Sequence, residues 1–167
     1  MLIRRETEAD KSAVEELLLS TFEENSESRL VTQLRAHAKP LVSLVAEQDG
    51  KVIGHILFSP VILDSNPSLQ LMGLAPMAVK PSQQRLGIGT ALIEAGLHHC
   101  QQQKIGAVVV LGHPDYYPKF GFSSAADYDI KSEYDVPTET FMLIELQEDY
   151  LHGHSGTVQY HEAFKAL

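Results

Sequence analysis

The chain has 167 residues, a formal net charge of −9 and one cysteine, and each of these values excludes a class of protein. The length suits one compact domain with a substantial core, so we expect a single domain over residues 1–167. The acidic surplus disfavours nucleic-acid binding, because phosphate backbones attract clustered lysine and arginine. No apolar run approaches the roughly 20 residues of a membrane helix. One cysteine excludes an internal disulfide, and no signal-peptide core follows Met1, which together predict a cytoplasmic protein that binds no membrane.

The first third of the chain predicts a strand, two helices and a hairpin. Lys39-Pro40 ends the second helix, because a residue before proline is biased away from helical backbone. Asp49-Gly50, between two β-rich runs, is a strong hairpin signal. The predicted elements are a strand at 2–5, a helix capped by Thr7 or Asp10, a helix at about 27–38, and strands at 41–47 and 52–63.

The middle of the chain predicts a strand, a glycine-bearing loop and a long helix. Leu69 to Val79 returns as a third antiparallel strand, but Pro76 inside it has no N–H for the ladder, so we expect a break or bulge there. A helix is predicted at 88–103. The continuous apolar strand at 107–111 follows that helix and should therefore pair parallel to the preceding strand.

The last third is less regular. A short helix before Gly121, a polar loop at 127–135 and a strand at 141–146 are predicted, and Val158 to Tyr160 is expected to pair with that strand. Cys100 falls on an apolar face of the predicted long helix, which indicates a core position. His55 falls in a strand pattern, which indicates a core or site-lining position. No clear ligand spacing accompanies the histidines, so we expect no metal.

The loop between the third antiparallel strand and the long helix has the features of a phosphate-binding loop. Gly87 and Gly89 remove side chains where a ligand could approach the backbone, and the amides of residues 86–90 lie among the unpaired donors of a helix N-terminus. The nucleoside-triphosphate loop is excluded, because no lysine follows Gly89. The dinucleotide fingerprint is excluded too, because its third glycine is replaced by Leu92.

The remaining pattern, Gln84-x-x-Gly87-x-Gly89, resembles the acetyl-CoA loop of the GNAT superfamily of N-acetyltransferases. Met77-Ala78-Val79-Lys80-Pro81 is similar to the strand end of that family, and Tyr117-Pro118-Lys119-Phe120-Gly121-Phe122 to its Tyr-x-x-x-Gly-Phe segment. The runs 54–60 and 110–114 look most like the bacterial YhbS-like branch. The order of elements agrees from about residue 1 to residue 146.

The resemblance implies a fold and a cofactor. The fold is α/β (α+β): a mixed, mostly antiparallel central sheet with one splayed parallel strand pair and helices on both faces. The cofactor is acetyl-CoA, whose thioester arm would enter the gap between the splayed strands. The implied cofactor-binding residues are Met77, Ala78, Val79, Gln84, Arg85, Leu86, Gly87, Ile88, Gly89 and Thr90.

The resemblance also implies direct transfer of an acetyl group to a primary amine of a small molecule, peptide or protein. A backbone N–H among residues 77–79, assigned to Ala78, would polarise the thioester carbonyl. Tyr117 would be the general acid for the leaving thiolate, with Tyr116 as the alternative. The general base stays open among His113, Asp115 and Glu47.

The two predicted N-terminal helices border the acceptor site in the resembled family, so Glu23, Glu24 and Glu27 would stand near an incoming amine, unless they form a solvated helix face. A non-catalytic acyl-CoA-binding module, or an acyltransferase with another donor or acceptor, is the alternative function. The expected partners are acetyl-CoA and an amine, with a homodimer left open.

Overall fold

The structure is a computed structural model that describes residues 1–166, in which nine strands and three α-helices alternate with short 3₁₀ turns. None of the helices in that range is long and apolar enough to cross a membrane. The elements are β1 (Leu2–Arg5), α1 (Lys11–Thr21), α2 (Ser26–His37), β2 (Val42–Gln48), β3 (Lys51–Leu63), β4 (Leu71–Val79), α3 (Ile88–Gln102), β5 (Ala107–Leu111), β6 (Ser123–Ser124), β7 (Ile130–Ser132), β8 (Phe141–Glu145) and β9 (Gly156–Gln159).

The strands form one mixed sheet in the order β1-β2-β3-β4-β5-β8-β6. All neighbours along this order are antiparallel except β4 and β5. The predicted hairpin joins β2 to β3, and Asp49 and Gly50 both have positive φ angles, of 52° and 76°. Two successive positive φ angles suit the tight turns that match the twist of an antiparallel pair.

The two faces of the sheet carry different helices. Ile56 and Phe58 on β3 belong to a buried cluster that includes Leu92 and Ile93 of α3. Leu57, between them in sequence, belongs to a second cluster with residues of α1 and α2. Side chains alternate along a strand, so one strand supplies both cores. The prediction of helices on both faces is confirmed.

The strands β4 and β5 separate along their length. They pair in parallel only where Leu71–Gly73 faces Ala107–Val109, whereas β4 continues to Val79. On its other side, β4 pairs with β3 through a register shift between Ile56 and Phe58, opposite Ala75 and Pro76. The irregularity predicted at Pro76 and the splayed parallel pair are both present, and they leave a gap beyond Gly73 and Val109.

The C-terminal part departs from the prediction. Residues 158–160 were expected to pair with the 141–146 strand, but β9 pairs with the end of β3 through Ile62 and Leu63, and parallel to β7. The expected loop at 127–135 contains β7 itself. The three residues of β7 are too few to show the alternation of apolar and polar side chains that marks a strand. The partners of β9 lie far away in the sequence, so the local pattern could not assign its pairing.

Candidate functional site

The loop before α3 leaves the start of that helix open. Gly87 precedes the helix with a φ of 86°, Arg85 also has a positive φ of 66°, and an added Cβ on Gly87 would meet nothing within 4 Å. Within the described residues 1–166, no side chain caps this N-terminus. The amides of residues 88–90 have no partner one turn earlier, so they remain available to a bound anion.

Gly89 forms the floor of this loop. An added Cβ would lie 3.4 Å from the hydroxyl of Tyr116 and 3.5 Å from the Cε of Met77. These are ordinary contact distances, so the absent side chain leaves a cradle bounded by a strand end, a helix start and the segment after β5. Such a cradle fits a phosphate-bearing ligand that lies against the backbone.

The predicted cofactor-binding residues contribute in different ways. Gln84 is exposed, and its Nε2 donates to the carbonyl oxygen of Val79 at 3.1 Å, which ties the loop to the end of β4. The side chains of Arg85 and Leu86 are exposed. Ile88 is buried in the sheet core, so only its backbone is available to a ligand.

Strand β4 presents alternate amides to the gap. The amide of Lys80 donates to the carbonyl oxygen of Ile53 at 2.8 Å. In an antiparallel ladder, amides of alternate residues point the same way, so the amide of Ala78 also points toward β3, where its register partner is His55. The amides of Met77 and Val79 point toward the gap. Within the predicted segment 77–79, the register therefore favours the two neighbours of Ala78 as donors.

Tyr116 and Tyr117 flank the same region from the segment after β5. Their rings meet edge to face with centroids 5.1 Å apart. The ring of Tyr117 lies where a Cβ on Gly112 would be, and it also contacts Phe122 at a centroid distance of 5.6 Å. Burial raises the pKa of Tyr117 to about 12, with a smaller contribution from Tyr116.

The candidate bases are not gathered at the gap. Glu47 accepts from Arg4 at 2.9 Å on β2, two strands away from β4. His113 and Asp115 are exposed in the segment after β5, with His113 Nδ1 and Asp115 Oδ2 3.9 Å apart. Glu23 and Glu24 are exposed between α1 and α2, and Glu27 is partly exposed.

Two predicted core residues lie in the core. Cys100 is fully buried beside Met72, with the sulfur atoms 3.8 Å apart, and burial raises the pKa of its thiol to about 12. A thiol with so high a pKa is not a nucleophile at neutral pH. His55 is fully buried in β3, and its Nε2 lies 2.9 Å from the hydroxyl of Ser43. Residues 1–166 contain no cluster of three or more His, Cys, Asp or Glu residues that could hold a metal ion.

A cavity of about 360 Å³ opens where β4 and β5 separate. Leu74 and Ala75 of β4 and Leu111 of β5 line one side. The other side is aromatic and consists of Tyr134, Tyr160 and Phe164. Sequence reasoning missed these three residues, because they stand in an irregular C-terminal segment that only the β9 pairing brings back to the gap.

Comparison with known proteins agrees with this geometry. The family model described as "Acetyltransferase (GNAT) family" matches residues 11–122. This chain belongs to the GNAT acetyltransferase family. The family assignment confirms the predicted acyltransferase class and the acetyl-CoA donor.

Individual relatives extend the likeness over the whole chain. The uncharacterized N-acetyltransferase YhbS of Escherichia coli is 38% identical over 165 residues, which cover 98% of each chain. The crystal structure of that GNAT family protein in complex with CoA has a TM-score of 0.92 at 36% identity, covering 98% of this chain and 91% of that chain. A GNAT family acetyltransferase from Brucella melitensis in complex with acetyl-CoA has a TM-score of 0.81 at 32% identity, covering 98% and 97%. The predicted fold is confirmed.

Proposed function

We propose that this protein transfers an acetyl group from acetyl-CoA directly to a primary amine. The observation that carries the proposal is the uncapped start of α3 behind Gly87 and Gly89, beside a gap between two splayed strands. Relatives with this fold are described in complex with CoA or acetyl-CoA. Acetyl-CoA, when bound, supplies the thioester from which the acetyl group is taken.

The loop would hold the phosphates of the cofactor, and β4 its thioester arm. Backbone amides can bind phosphate without formal positive charge, which explains how a chain with a net charge of −9 could bind a polyanion. Gln84 would fix the loop to β4 rather than contact the ligand. We propose Met77, Ala78, Val79, Gln84, Arg85, Leu86, Gly87, Ile88, Gly89 and Thr90 as the cofactor site.

Backbone and tyrosine would divide the chemistry. An amide of β4 within residues 77–79 would donate to the thioester carbonyl and so favour attack by the amine nitrogen. Removal of one such donor in other enzymes raises the activation free energy by about 2.7–4 kcal/mol. As the C–N bond forms and the C–S bond breaks, Tyr117 would donate to the departing sulfur. Its phenol is protonated at neutral pH, as this role requires, and burial extends the protonated range upward by raising the pKa to about 12.

The acceptor has to lose its proton before it can attack. At pH 7 this costs about 4.6 kcal/mol for a lysine amine with a pKa near 10.4, and about 1.4 kcal/mol for an α-amine with a pKa near 8. The exposed positions of His113 and Asp115 suit proton acceptance through water. The cytoplasmic location stays a prediction, and a homodimer stays open.

Binding of the cofactor tests the proposal directly. We expect CoA and acetyl-CoA to bind the wild-type protein in isothermal titration, and Gly89→Val to abolish that binding, because its side chain fills the cradle. A Cβ at that position meets its neighbours at ordinary contact distances, but the two γ-methyl groups of valine extend beyond it, so circular dichroism of Gly89→Val is measured beside the titration to check that the fold is intact.

Gly87 has a matched control in Gly153. Both have positive φ angles, of 86° and 79°, and an added Cβ at either would meet nothing within 4 Å, so Gly87→Ala and Gly153→Ala impose similar backbone strain. Only Gly87→Ala should weaken CoA binding. Failure of the wild-type protein to bind CoA would remove the proposal, and binding without transfer to any amine would leave a non-catalytic binding module.

A further inference from the structure

The cavity at the end of the gap is built from apolar and aromatic groups. Leu74 is buried, Ala75 and Leu111 are partly buried, and the opposite wall is formed by Tyr134, Tyr160 and Phe164. The ring centroids of Tyr134 and Tyr160 are 5.5 Å apart, and those of Tyr160 and Phe164 are 5.1 Å apart. The wall is therefore one continuous aromatic surface.

The fold keeps this surface in place. The ring of Tyr160 lies over Gly73, where an added Cβ would be 3.1 Å from its Cε1. The amide of Tyr160 donates to Glu133 Oε2 at 2.6 Å, and Phe164 packs into the cluster formed by α1 and α2. Tyr160 is thus fixed through its backbone and by the bare strand beneath its ring.

The position of the cavity assigns it to the acceptor. Ala75 lies at the bulge of β4, and Leu111 lies at the end of β5, so the cavity borders both strands where they diverge. The proposed cofactor loop approaches the gap from the side of α3, whereas Phe164 belongs to the cluster on the opposite face. A molecule in the cavity would meet the thioester from the side that the cofactor leaves free.

The lining disfavours acceptors that carry a charge besides the amine that reacts. Within residues 1–166, no Asp, Glu, Lys, Arg or His lines this cavity. A carboxylate or a second ammonium group would lose its hydration there without a partner, which is costly. An apolar ring gains instead, by about 25 cal/mol for each Å² removed from water and by aromatic contacts in addition.

Burial also acts on the lining tyrosines. It raises the pKa of Tyr160, with smaller contributions from Tyr134 and Glu133, so its phenol stays neutral well above the physiological pH at which any tyrosine is neutral. A cavity of about 360 Å³ with an uncharged aromatic wall suits one small molecule rather than a folded protein surface.

We propose that the acceptor is a small primary amine whose amino group is carried on an aromatic or branched apolar group without further charge, and that Tyr134, Tyr160 and Phe164 select it. This inference rests on the proposed acetyl transfer. All three residues lie after residue 122, where the match to the general family model ends, so the wall is formed by a part of the chain outside that match.

Release of free thiol from acetyl-CoA tests the selectivity, with 2-phenylethylamine, ethanolamine and spermidine as acceptors. The kcat/KM for 2-phenylethylamine should exceed that of the other two by about tenfold or more, because only its ring fills the cavity. Equal values, or a preference for spermidine, would overturn the inference. Cys100 is buried and adds no reactive thiol of its own.

Paired variants locate the effect. Tyr134→Ala should lower the preference for 2-phenylethylamine about tenfold while CoA binding is retained. Tyr128→Ala is the matched control, since Tyr128 is also partly buried in the C-terminal part but does not line the cavity. An equal loss of preference in both variants would contradict the assignment.

Titration of 2-phenylethylamine into the CoA-saturated protein separates this inference from the proposed function. Binding that Tyr134→Ala removes would support the cavity even if no acetyl transfer occurred. Absence of binding would overturn the inference, although transfer to other amines could still be measured. Failure of CoA itself to bind would instead overturn the proposed function.

Discussion

At the scale of single residues, two adjacent tyrosines contact different parts of the structure around the gap. The hydroxyl of Tyr116 faces Gly89 and Met77 at the cofactor loop, whereas the ring of Tyr117 stands on Gly112 at the end of β5. Tyr116 directly precedes the 3₁₀ turn Tyr117–Phe120, and side chains of adjacent residues in such a backbone point in different directions, so the roles of the two tyrosines should differ. The Tyr-x-x-x-Gly-Phe spacing predicts Tyr117 as the general acid, and this role stays a proposal with Tyr116 as the alternative.

Substitution of these tyrosines distinguishes the roles. Tyr117→Phe should lower kcat by about 100-fold while the KM for acetyl-CoA changes little, because a donor to the leaving sulfur acts on the chemical step. Tyr116→Phe is the control and should change kcat by less than about threefold. If Tyr116→Phe has the larger effect on kcat, Tyr116 is the donor.

The pH dependence follows from the same residue. The wild-type rate should rise with pH as the acceptor amine becomes neutral, and no falling limb should appear below about pH 10, because the pKa of Tyr117 is about 12. A falling limb near pH 8 in the plot of kcat against pH would show that another group donates the proton.

At the scale of elements, α3 lies close to the sheet because glycine replaces a side chain on each partner. A Cβ on Gly96 of α3 would overlap the ring of Phe58 on β3. Likewise, a Cβ on Gly54 of β3 would lie 3.0 Å from the Cδ1 of Leu92 on α3. A side chain of the other element packs against each glycine, which sets the distance between the sheet and the helix that follows the proposed cofactor loop.

Gly96→Ala measures this packing. Alanine favours an isolated helix by about 1 kcal/mol over glycine, but overpacking a core costs typically 1–3 kcal/mol. We expect the overlap with Phe58 to dominate and the free energy of unfolding in urea to fall by about 1–2 kcal/mol.

Phe58→Leu tests whether the overlap with Phe58 causes the loss of stability in Gly96→Ala. A smaller side chain at that position leaves room for the new methyl group, so the double variant should be destabilised by less than the sum of the two single variants. Strict additivity would show that the loss in Gly96→Ala does not come from this contact.

At the scale of the whole molecule, buried titratable groups limit the pH range of stability. Burial lowers the pKa of His55 to about 3, with a smaller contribution from Arg35, and raises that of Cys100 to about 12. His55 has one nitrogen 2.9 Å from Ser43 and the other without a partner in the described residues, while Glu6 pairs with Arg35 nearby. Both groups are neutral in the native state and ionise more readily when the chain unfolds.

Stability changes with pH wherever the native and the unfolded chain bind different numbers of protons. As pH falls below about 6.5, the unfolded chain protonates its histidine while native His55 does not, so stability is lost from there toward pH 3. As pH rises above about 9, the unfolded chain loses the thiol proton first, so stability is lost toward pH 12.

Urea unfolding between pH 4 and pH 11 measures both limbs. Each group should contribute a slope of up to about 1.4 kcal/mol per pH unit within its own range. His55→Gln should flatten the acid limb and leave the alkaline one. Cys100→Ala should leave the acid limb and reduce the alkaline slope between about pH 9 and pH 10, above which the buried Tyr117 and Tyr160 also contribute because their phenols ionise first in the unfolded chain. Unchanged slopes in both variants would assign the pH dependence to other residues.

The sequence by itself determined the parts of this protein in which neighbouring residues decide the structure. Asp49-Gly50 specified a hairpin, Pro76 an interruption of β4, and the glycines at 87 and 89 an open helix start, because each acts through its own backbone. These local signals, with the Tyr-x-x-x-Gly-Phe segment, were enough to indicate the fold, the family and the acetyl-CoA donor.

Only the tertiary structure decided what depends on contacts between distant residues. The ladder register directs the amides of Met77 and Val79, rather than that of Ala78, to the gap. The pairing of β9 with β3 and β7 brings Tyr160 next to Tyr134. No local period encodes such pairings, because the place of a short irregular strand depends on the distant strands that it pairs with. The cavity that we propose for the acceptor therefore leaves no signal in the sequence pattern.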